Sequence, residues 1–257
     1  MPIYEKPVWQ LMKEMVATLQ VNKGQTITKS EIESWFQKNY PKIKKGTITS
    51  YLVRMSTNAP GRIHHNPKPY DDFFFQLDGS RFRLYDSTTD PPPISNTGEP
   101  STSKGSSADT IEDSSISDSE AASEFAYESD LKNFLAKHLS VLEPDLRLYE
   151  EEGITGIEFP AGGRFIDILA VDGSNYFVVI ELKVSRGYDR VVGQLLRYMG
   201  WVKSNLADSN QGVRGIIVAR QITEDLMLAC QPLPNVALYE YELSISVRKV
   251  NKTGNTS

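Results

Sequence analysis

The fold of the C-terminal half is decided by the stretch Phe165-Ile166-Asp167-Ile168-Leu169-Ala170 and, shortly after it, Phe177-Val178-Val179-Ile180-Glu181-Leu182-Lys183-Val184. Short apolar runs rich in β-branched residues are typical of buried strands. The segment between them contains Asp172-Gly173-Ser174-Asn175, so the two strands are expected to pair as a hairpin. Charged residues interrupt both strands, although burying an unpaired charge is costly.

The spacing of these charges predicts a cation site. Side chains two residues apart on a strand share a face, so Glu181 and Lys183 project together, and a small register shift brings Asp167 to them. Two carboxylates this close need a cation between them. Asp167, Glu181 and the main-chain carbonyl of Leu182 form an oxygen-only ligand set, which suits Mg²⁺ or Mn²⁺. The alternative is a structural set of ion pairs with Lys183 and Arg164.

Further elements are predicted on both sides of this hairpin. A helix over 124–139 and a strand over 146–150 precede it, and an amphipathic helix over 189–205 follows. A strand over 215–219, a helix over 224–230 and a strand over 236–243 complete the pattern. The order αβββαβ predicts an α/β domain with a mixed sheet flanked by helices.

Residues 1–86 predict a smaller α+β domain. A first helix begins near Pro7, Thr28 and Glu31 form a capping box for a second helix, and a third helix covers 46–55. Two aromatic-rich runs around Asp78-Gly79-Ser80 predict a hairpin. Three helices followed by a hairpin is the order of a winged helix-turn-helix, whose third helix enters the major groove of DNA. The alternative is an interaction module with the same fold.

Double-stranded DNA contacts are therefore expected on and just before the third helix. The candidate residues are Lys44, Lys45, Thr47, Thr49, Ser50, Tyr51 and Arg54. The adjacent histidines His64 and His65 lack partners at a metal-ligand spacing, so they are expected on an exposed loop, in contact with phosphate.

Charge divides the chain into three parts. Residues 1–86 carry a net charge of +5, residues 87–122 carry −6 and residues 123–257 carry −4. The middle part is rich in Ser, Thr, Pro and Asp and has few bulky apolar residues, so it is interpreted as a disordered linker. Residues 123–250 would then form the second domain and residues 251–257 a disordered tail. No apolar run is long enough for a membrane span, so we expect an intracellular protein, cytoplasmic and nucleoid-associated if prokaryotic.

The C-terminal half resembles the PD-(D/E)xK nuclease superfamily, and more closely the catalytic domain of NucS-type (EndoMS) endonucleases. Ile166 stands where the superfamily usually has Pro. Besides the strand that contains Asp167 (residues 163–170), the resemblance rests on three segments. These are Glu128-Ser129-Asp130-Leu131, Val179-Ile180-Glu181-Leu182-Lys183 and Gly193-Gln194-Leu195-Leu196-Arg197-Tyr198-Met199-Gly200-Trp201-Val202. Residues 56–60, His64-His65 and the aromatic strands resemble an N-terminal domain found on restriction-type endonucleases.

The resemblance implies a restriction-endonuclease-like core and metal-dependent hydrolysis of DNA. Asp167 and Glu181 would hold the metal, and Lys183 would orient a water or stabilise charge on phosphorus. Gln194 is a further catalytic candidate or a structural amide. Glu128 is a candidate metal ligand or a helix-start glutamate favoured by the helix dipole. Phosphate contacts are expected from Arg164, Arg186, Arg190 and Tyr198.

The implied function is a Mg²⁺-dependent DNA endonuclease acting in restriction-type defence, working as a homodimer because cutting both strands needs two active sites. The alternative substrate is mismatched or otherwise structured DNA in repair. The alternative from another class is a non-catalytic regulator that binds DNA through residues 1–86.

Overall fold

The computed structural model describes residues 4–65, 67–94, 118–183 and 189–242. The first part contains three helices and three strands, which are α1 (Val8–Thr18), β1 (Thr26–Thr28), α2 (Lys29–Asn39), α3 (Lys45–Met55), β2 (Phe74–Gln76) and β3 (Arg81–Leu84). The second part contains α4 (Asp118–Lys137), β4 (Arg147–Leu148), β5 (Glu150–Glu151), β6 (Ile154–Thr155), β7 (Ile157–Ala161), β8 (Arg164–Val171), β9 (Phe177–Lys183), α5 (Asp189–Asn205), β10 (Val213–Ala219), α6 (Glu224–Cys230) and β11 (Val236–Glu240).

The N-terminal part has the predicted three helices and hairpin. The capping box at the start of α2 is present, since Thr28 Oγ1 accepts from the Glu31 amide and Glu31 accepts from the Thr28 amide. A short strand, β1, was not predicted; it pairs antiparallel with β3, which also pairs with β2. The helices and this sheet share a core that includes Met12, Phe36 and Phe74.

The predicted linker boundary at residue 86 lies too early. Asp90 forms an ion pair with Arg83 of β3, and the Ile94 amide donates to the Thr57 carbonyl at 2.9 Å. Residues 87–94 therefore belong with the N-terminal part. Polar contacts hold them there, whereas the sequence boundary was placed where bulky apolar residues become rare. Helix α4 begins at Asp118, inside the other end of the predicted linker. The remaining linker residues, 95–117, and the predicted tail, 251–257, lie outside the described residues.

The C-terminal sheet is mixed, as the α/β fold class requires. Its strand order is β11-β10-β9-β8-β4, and β7 also pairs with β8. Strands β8 and β9 form the predicted antiparallel hairpin, whereas β9, β10 and β11 run parallel. Helix α4 covers one face of this sheet and α5 covers the other, so the central strands are buried on both sides. The strand β7 was missed by the sequence patterns.

The two parts of the chain pack directly against each other. Helix α3 contacts β6, β7 and α5 of the C-terminal part. Gly46 allows the close approach to α5, since a Cβ there would lie 3.0 Å from Leu206 and 3.3 Å from Trp201. One continuous apolar core therefore includes residues from both parts.

The turn between β5 and β6 inserts into the N-terminal part. Glu152 accepts hydrogen bonds from the Val8 amide, at the start of α1, and from the Tyr51 hydroxyl, both at 3.1 Å. Arg54 Nη1 donates to the Glu152 carbonyl at 2.9 Å. Because Pro7 gives α1 no side-chain cap, Glu152 supplies one from a distant part of the sequence. None of the described helices is both long and apolar enough to span a bilayer.

Candidate active site

The β8–β9 hairpin brings the two predicted carboxylates together. The register pairs Leu169 with Val179 and Ile168 with Ile180, where the ladder ends, and Asp167 and Glu181 are the next residue on each strand. The negative charge of Asp167 raises the pKa of Glu181, so the two carboxylates lie within electrostatic reach of each other.

Asp167 takes the place of a main-chain partner at the end of this ladder. Its Oδ2 accepts a hydrogen bond from the Leu182 amide at 2.9 Å. Burial raises the pKa of Asp167 to about 6, although the Leu182 amide and the nearby Lys132 ammonium act in the opposite direction. The side chain is thus prepared to hold positive charge, either a proton or a cation.

Glu181 is the more deeply buried of the two, with a relative exposure of 2%. Its Oε1 is buried without a hydrogen-bond partner among the described residues. Burial first, and then the negative charges of Asp167 and Glu128, raise the pKa of Glu181 well above its usual range. A buried carboxylate oxygen without a partner is costly, so this position calls for a ligand that neutralises it.

The donor set fits a hard divalent cation. Two neighbouring carboxylates, one with an oxygen that has no partner among the described residues, provide the oxygen ligands that Mg²⁺ prefers, with water or phosphate as further ligands. Within the described ranges, no three His, Cys, Asp or Glu side chains are arranged to hold a metal ion together. The fit therefore rests on Asp167 and Glu181, with the Leu182 carbonyl as the predicted third ligand.

Helix α4 places two charges near this pair. The negative charge of Glu128 raises the pKa values of both Asp167 and Glu181, which puts Glu128 within electrostatic reach of them. Lys132, one helical turn later, is largely buried and forms an ion pair with Glu158 of β7. Glu128 was predicted from the sequence and Lys132 was not, although the two are four residues apart on one helix face.

Helix α5 carries a polar stripe. Arg190, Gln194 and Arg197 follow a helical spacing, and Arg190 and Arg197 are exposed. Gln194 Nε2 donates to the Tyr198 hydroxyl at 3.4 Å, and the Arg197 guanidinium lies 4.4 Å from the centre of the Tyr198 ring. The positive charge of Arg197 partly offsets the rise in the pKa of Glu181. Lys183 ends β9 and is partly exposed.

Several residues expected to contact DNA have buried side chains. Tyr198 is 1% exposed and belongs to the apolar core. Five candidates on α3 are also buried, namely Thr47, Thr49, Ser50, Tyr51 and Arg54. The polarity of α3 serves the contact with the C-terminal part and the helix itself: Thr47 Oγ1 donates to Glu151, and Ser50 Oγ donates to the Gly46 carbonyl.

The remaining basic candidates have different surroundings. Lys44 pairs with Asp208 of the C-terminal part at 2.6 Å, whereas the Lys45 side chain is 57% exposed. Arg164 is exposed at the start of β8. Arg186 lies outside the described residues. Arg164, Arg190 and Arg197 are exposed, and of these the charge of Arg197 acts on Glu181.

The two adjacent histidines are not on an exposed loop. His65 is fully buried, accepts a hydrogen bond from the Thr155 amide at 3.3 Å, and has a pKa lowered to about 3 by burial. His64 Nε2 lies 3.1 Å from Glu158 Oε2. Both histidines therefore contact the C-terminal part. The residues around them in the sequence contain no signal that predicts this contact.

Comparison with known proteins agrees with this division. Residues 7–84 match a family model described as a domain of unknown function (DUF7669), and residues 127–235 match the model of the endonuclease NucS C-terminal domain. Endonuclease NucS of Methanopyrus kandleri is 33% identical over 100 residues, which are 39% of this chain and 35% of that protein. Endonuclease NucS 2 of Halobacterium salinarum is 33% identical over 118 residues, which are 45% of this chain and 43% of that protein.

Among solved structures, a repair endonuclease from Pyrococcus abyssi is 24% identical, with a TM-score of 0.36 over 51% of this chain and 50% of that chain. The chain thus spans half or less of the length of the proteins that it matches. Its C-terminal part, residues 127–235, is similar to the C-terminal domain of NucS-type endonucleases, related to the PD-(D/E)xK nucleases, as the motifs predicted.

Proposed function

We propose that this protein is a metal-dependent DNA endonuclease with its active site at Asp167, Glu181 and Lys183. The observation that supports this proposal is the neighbouring pair Asp167 and Glu181, in which Glu181 Oε1 is buried without a hydrogen-bond partner among the described residues. A fold needs no such pair for stability, because replacing buried charges by apolar residues is often neutral or stabilising. The similarity of residues 127–235 to NucS-type domains supports the same activity.

Each residue has a distinct task in hydrolysis. Asp167 and Glu181 would hold Mg²⁺ or Mn²⁺, with the Leu182 carbonyl and Glu128 as further candidate ligands. When bound, the cation supplies polarisation of the phosphate and a lowered pKa for a water molecule. Lys183, two residues after Glu181 on the same face, would orient the attacking water or stabilise charge developing on phosphorus.

The stripe on α5 would act on the substrate and on the site geometry. Arg190 and Arg197, with Arg164 on β8, would contact phosphates of double-stranded DNA, since all three side chains are exposed. Gln194 and Tyr198 would help to position the site from the interior of the domain, because Tyr198 is buried and its hydroxyl accepts a hydrogen bond from the Gln194 amide. A homodimer would place one such site on each strand.

Substrate choice separates the two biological roles. Restriction-type defence follows from the resemblance of the N-terminal part, and it predicts cleavage of foreign or modified DNA. Mismatch- or structure-specific repair predicts a preference for mismatched duplexes instead. We keep defence as the first role and repair as its alternative.

The test is cleavage of plasmid DNA, modified phage DNA and mismatched duplexes with Mg²⁺, with EDTA, and by the Lys183→Ala variant. The expected result is metal-dependent cleavage that the variant lacks. The preferred substrate then selects the role. A protein that binds these DNAs and cuts none of them would be the non-catalytic regulator, and the proposal would be refuted.

A further inference from the structure

Glu158 of β7 joins three separate parts of the molecule. One of its oxygens pairs with the ammonium of Lys132 on α4. The other lies 3.1 Å from Nε2 of His64, in the 3-10 segment Pro60–His65 of the N-terminal part. All three side chains are at least two-thirds buried, with exposures of 11% for Lys132, 21% for His64 and 31% for Glu158.

This group lies beside the proposed active site. In the β7–β8 ladder, Ile157 pairs with Ile168 and Phe159 with Ile166, so Glu158 is the residue opposite Asp167. Glu158 has φ of +45°, a left-handed conformation that a non-glycine residue rarely adopts. Backbone strain of this kind persists only where the surrounding contacts hold it, and here two partners hold the carboxylate.

The position of the Lys132 ammonium matters for any cation at Asp167. Among the described residues, Lys132 pairs with Glu158 and forms no ion pair with Asp167, whose oxygen accepts from the Leu182 amide. If the Lys132 ammonium paired with Asp167 instead, it would neutralise the carboxylate charge that a divalent cation needs for binding. Glu158 is the carboxylate with which Lys132 pairs instead.

We propose that Glu158, held by His64 of the N-terminal part, is a positioning residue that keeps Lys132 engaged and leaves Asp167 free to bind the divalent cation. The proposal rests on the proposed function and extends it, because it makes docking of the N-terminal part a condition for full metal affinity. The hydrogen bond from His64, and then the charge of Lys132, lower the pKa of Glu158 to about 2 against the effect of burial, so it is ionised when it acts.

The test is calorimetric titration of Mn²⁺ into the full chain without DNA. Glu158→Gln is expected to raise the dissociation constant for Mn²⁺ by about tenfold, as is common when a residue that orients a metal site is lost. Adding Lys132→Met to this variant is expected to restore affinity, since the competing ammonium is then absent. A merely structural role for Glu158 predicts no such rescue.

The histidine is tested in the same way. His64→Ala is expected to weaken Mn²⁺ binding, and His64→Gln, whose amide can still donate to Glu158, is expected to restore it. Thr47→Val is the matched control, because it removes another hydrogen bond between the two parts, to Glu151, without touching Glu158. Its Mn²⁺ affinity should equal that of the wild type.

Three outcomes would overturn the inference. Wild-type affinity in both Glu158→Gln and His64→Ala would refute it while leaving the proposed metal site intact. Equal losses in Thr47→Val and His64→Ala would show a general effect of docking instead. A wild-type protein that binds no Mn²⁺ would refute the metal site of the proposed function and this inference with it. If Glu158→Gln fails to fold, the two His64 variants decide the question.

Discussion

Replacing Arg54 tests whether α3 is an interior helix or a DNA-recognition helix. Arg54 Nε lies 3.0 Å from Asp71 Oδ2, and both side chains are nearly or fully buried. Arg54 Nη1 also donates to the Glu152 carbonyl in the other part of the chain. Arg54→Met removes all of these contacts while preserving much of the side-chain volume.

The expected loss of unfolding free energy follows from the buried Asp71 carboxylate that remains in the variant. Without Arg54, Asp71 keeps the Lys68 amide as a donor, and its Oδ1 is already without a partner. Breaking a buried ion pair in this way costs about 3–5 kcal/mol of unfolding free energy, against about 0.5 kcal/mol for a surface substitution. The double variant Arg54→Met with Asp71→Leu should recover part of the loss, because no buried charge is then left alone.

Urea unfolding followed by tryptophan fluorescence measures this cost, since Trp201 lies at the contact between the two parts. Lys45→Met, on the same helix but exposed, is the control and should be nearly neutral. A cost below about 0.5 kcal/mol for Arg54→Met, together with a loss of DNA affinity, would show that α3 faces DNA and would refute the docked arrangement.

Three further predictions concern the docking turn, the carboxylates and the DNA surface. Gly153→Ala should lower the thermal midpoint more than Gly163→Ala. Both glycines have φ near +80°, but a Cβ at position 153 would lie 2.6 Å from Arg54 Nη1, whereas a Cβ at position 163 would have no described atom within 4 Å. Because the folded-state pKa of Asp167 is raised to about 6, its ionisation destabilises the metal-free protein as pH rises from about 4 to 6. Asp167→Asn should therefore be more stable than the wild type at pH 7.5 and lose that advantage near pH 4; an equal advantage at both pH values would contradict the raised pKa. Arg197→Ala should weaken DNA binding in a gel-shift assay while Tyr198→Phe leaves it unchanged, and the opposite pattern would place Tyr198 on the DNA.

The β8–β9 hairpin was predictable from sequence because its signals are local. Two apolar runs around a turn fix the pairing of β8 and β9, and the charged residues inside them indicate the candidate site. Strand β7 gave no such signal. It contains Pro160 and the left-handed Glu158, and it ends at two glycines, so its sequence has the composition of a loop.

The docking of α3 was not predictable for a different reason. Thr47, Ser50 and Arg54 are polar, and polar side chains on a short helix favour an exposed interpretation. Their burial is stabilised by partners such as Glu151 and Glu152, about 100 residues later in the sequence. The positions of Lys132 and His64 beside the candidate site depend on the same long-range packing. Local patterns therefore indicate the two candidate carboxylates but not the residues that surround them.

The most direct test of the account is cleavage of covalently closed plasmid DNA by the wild type and by Glu181→Gln in Mg²⁺, at equal protein concentration and with matched unfolding curves. Glu181→Gln keeps the shape of the side chain and removes the charge that the proposed metal site needs. The account predicts Mg²⁺-dependent cleavage by the wild type and none by the variant. Equal cleavage by the two proteins would contradict it.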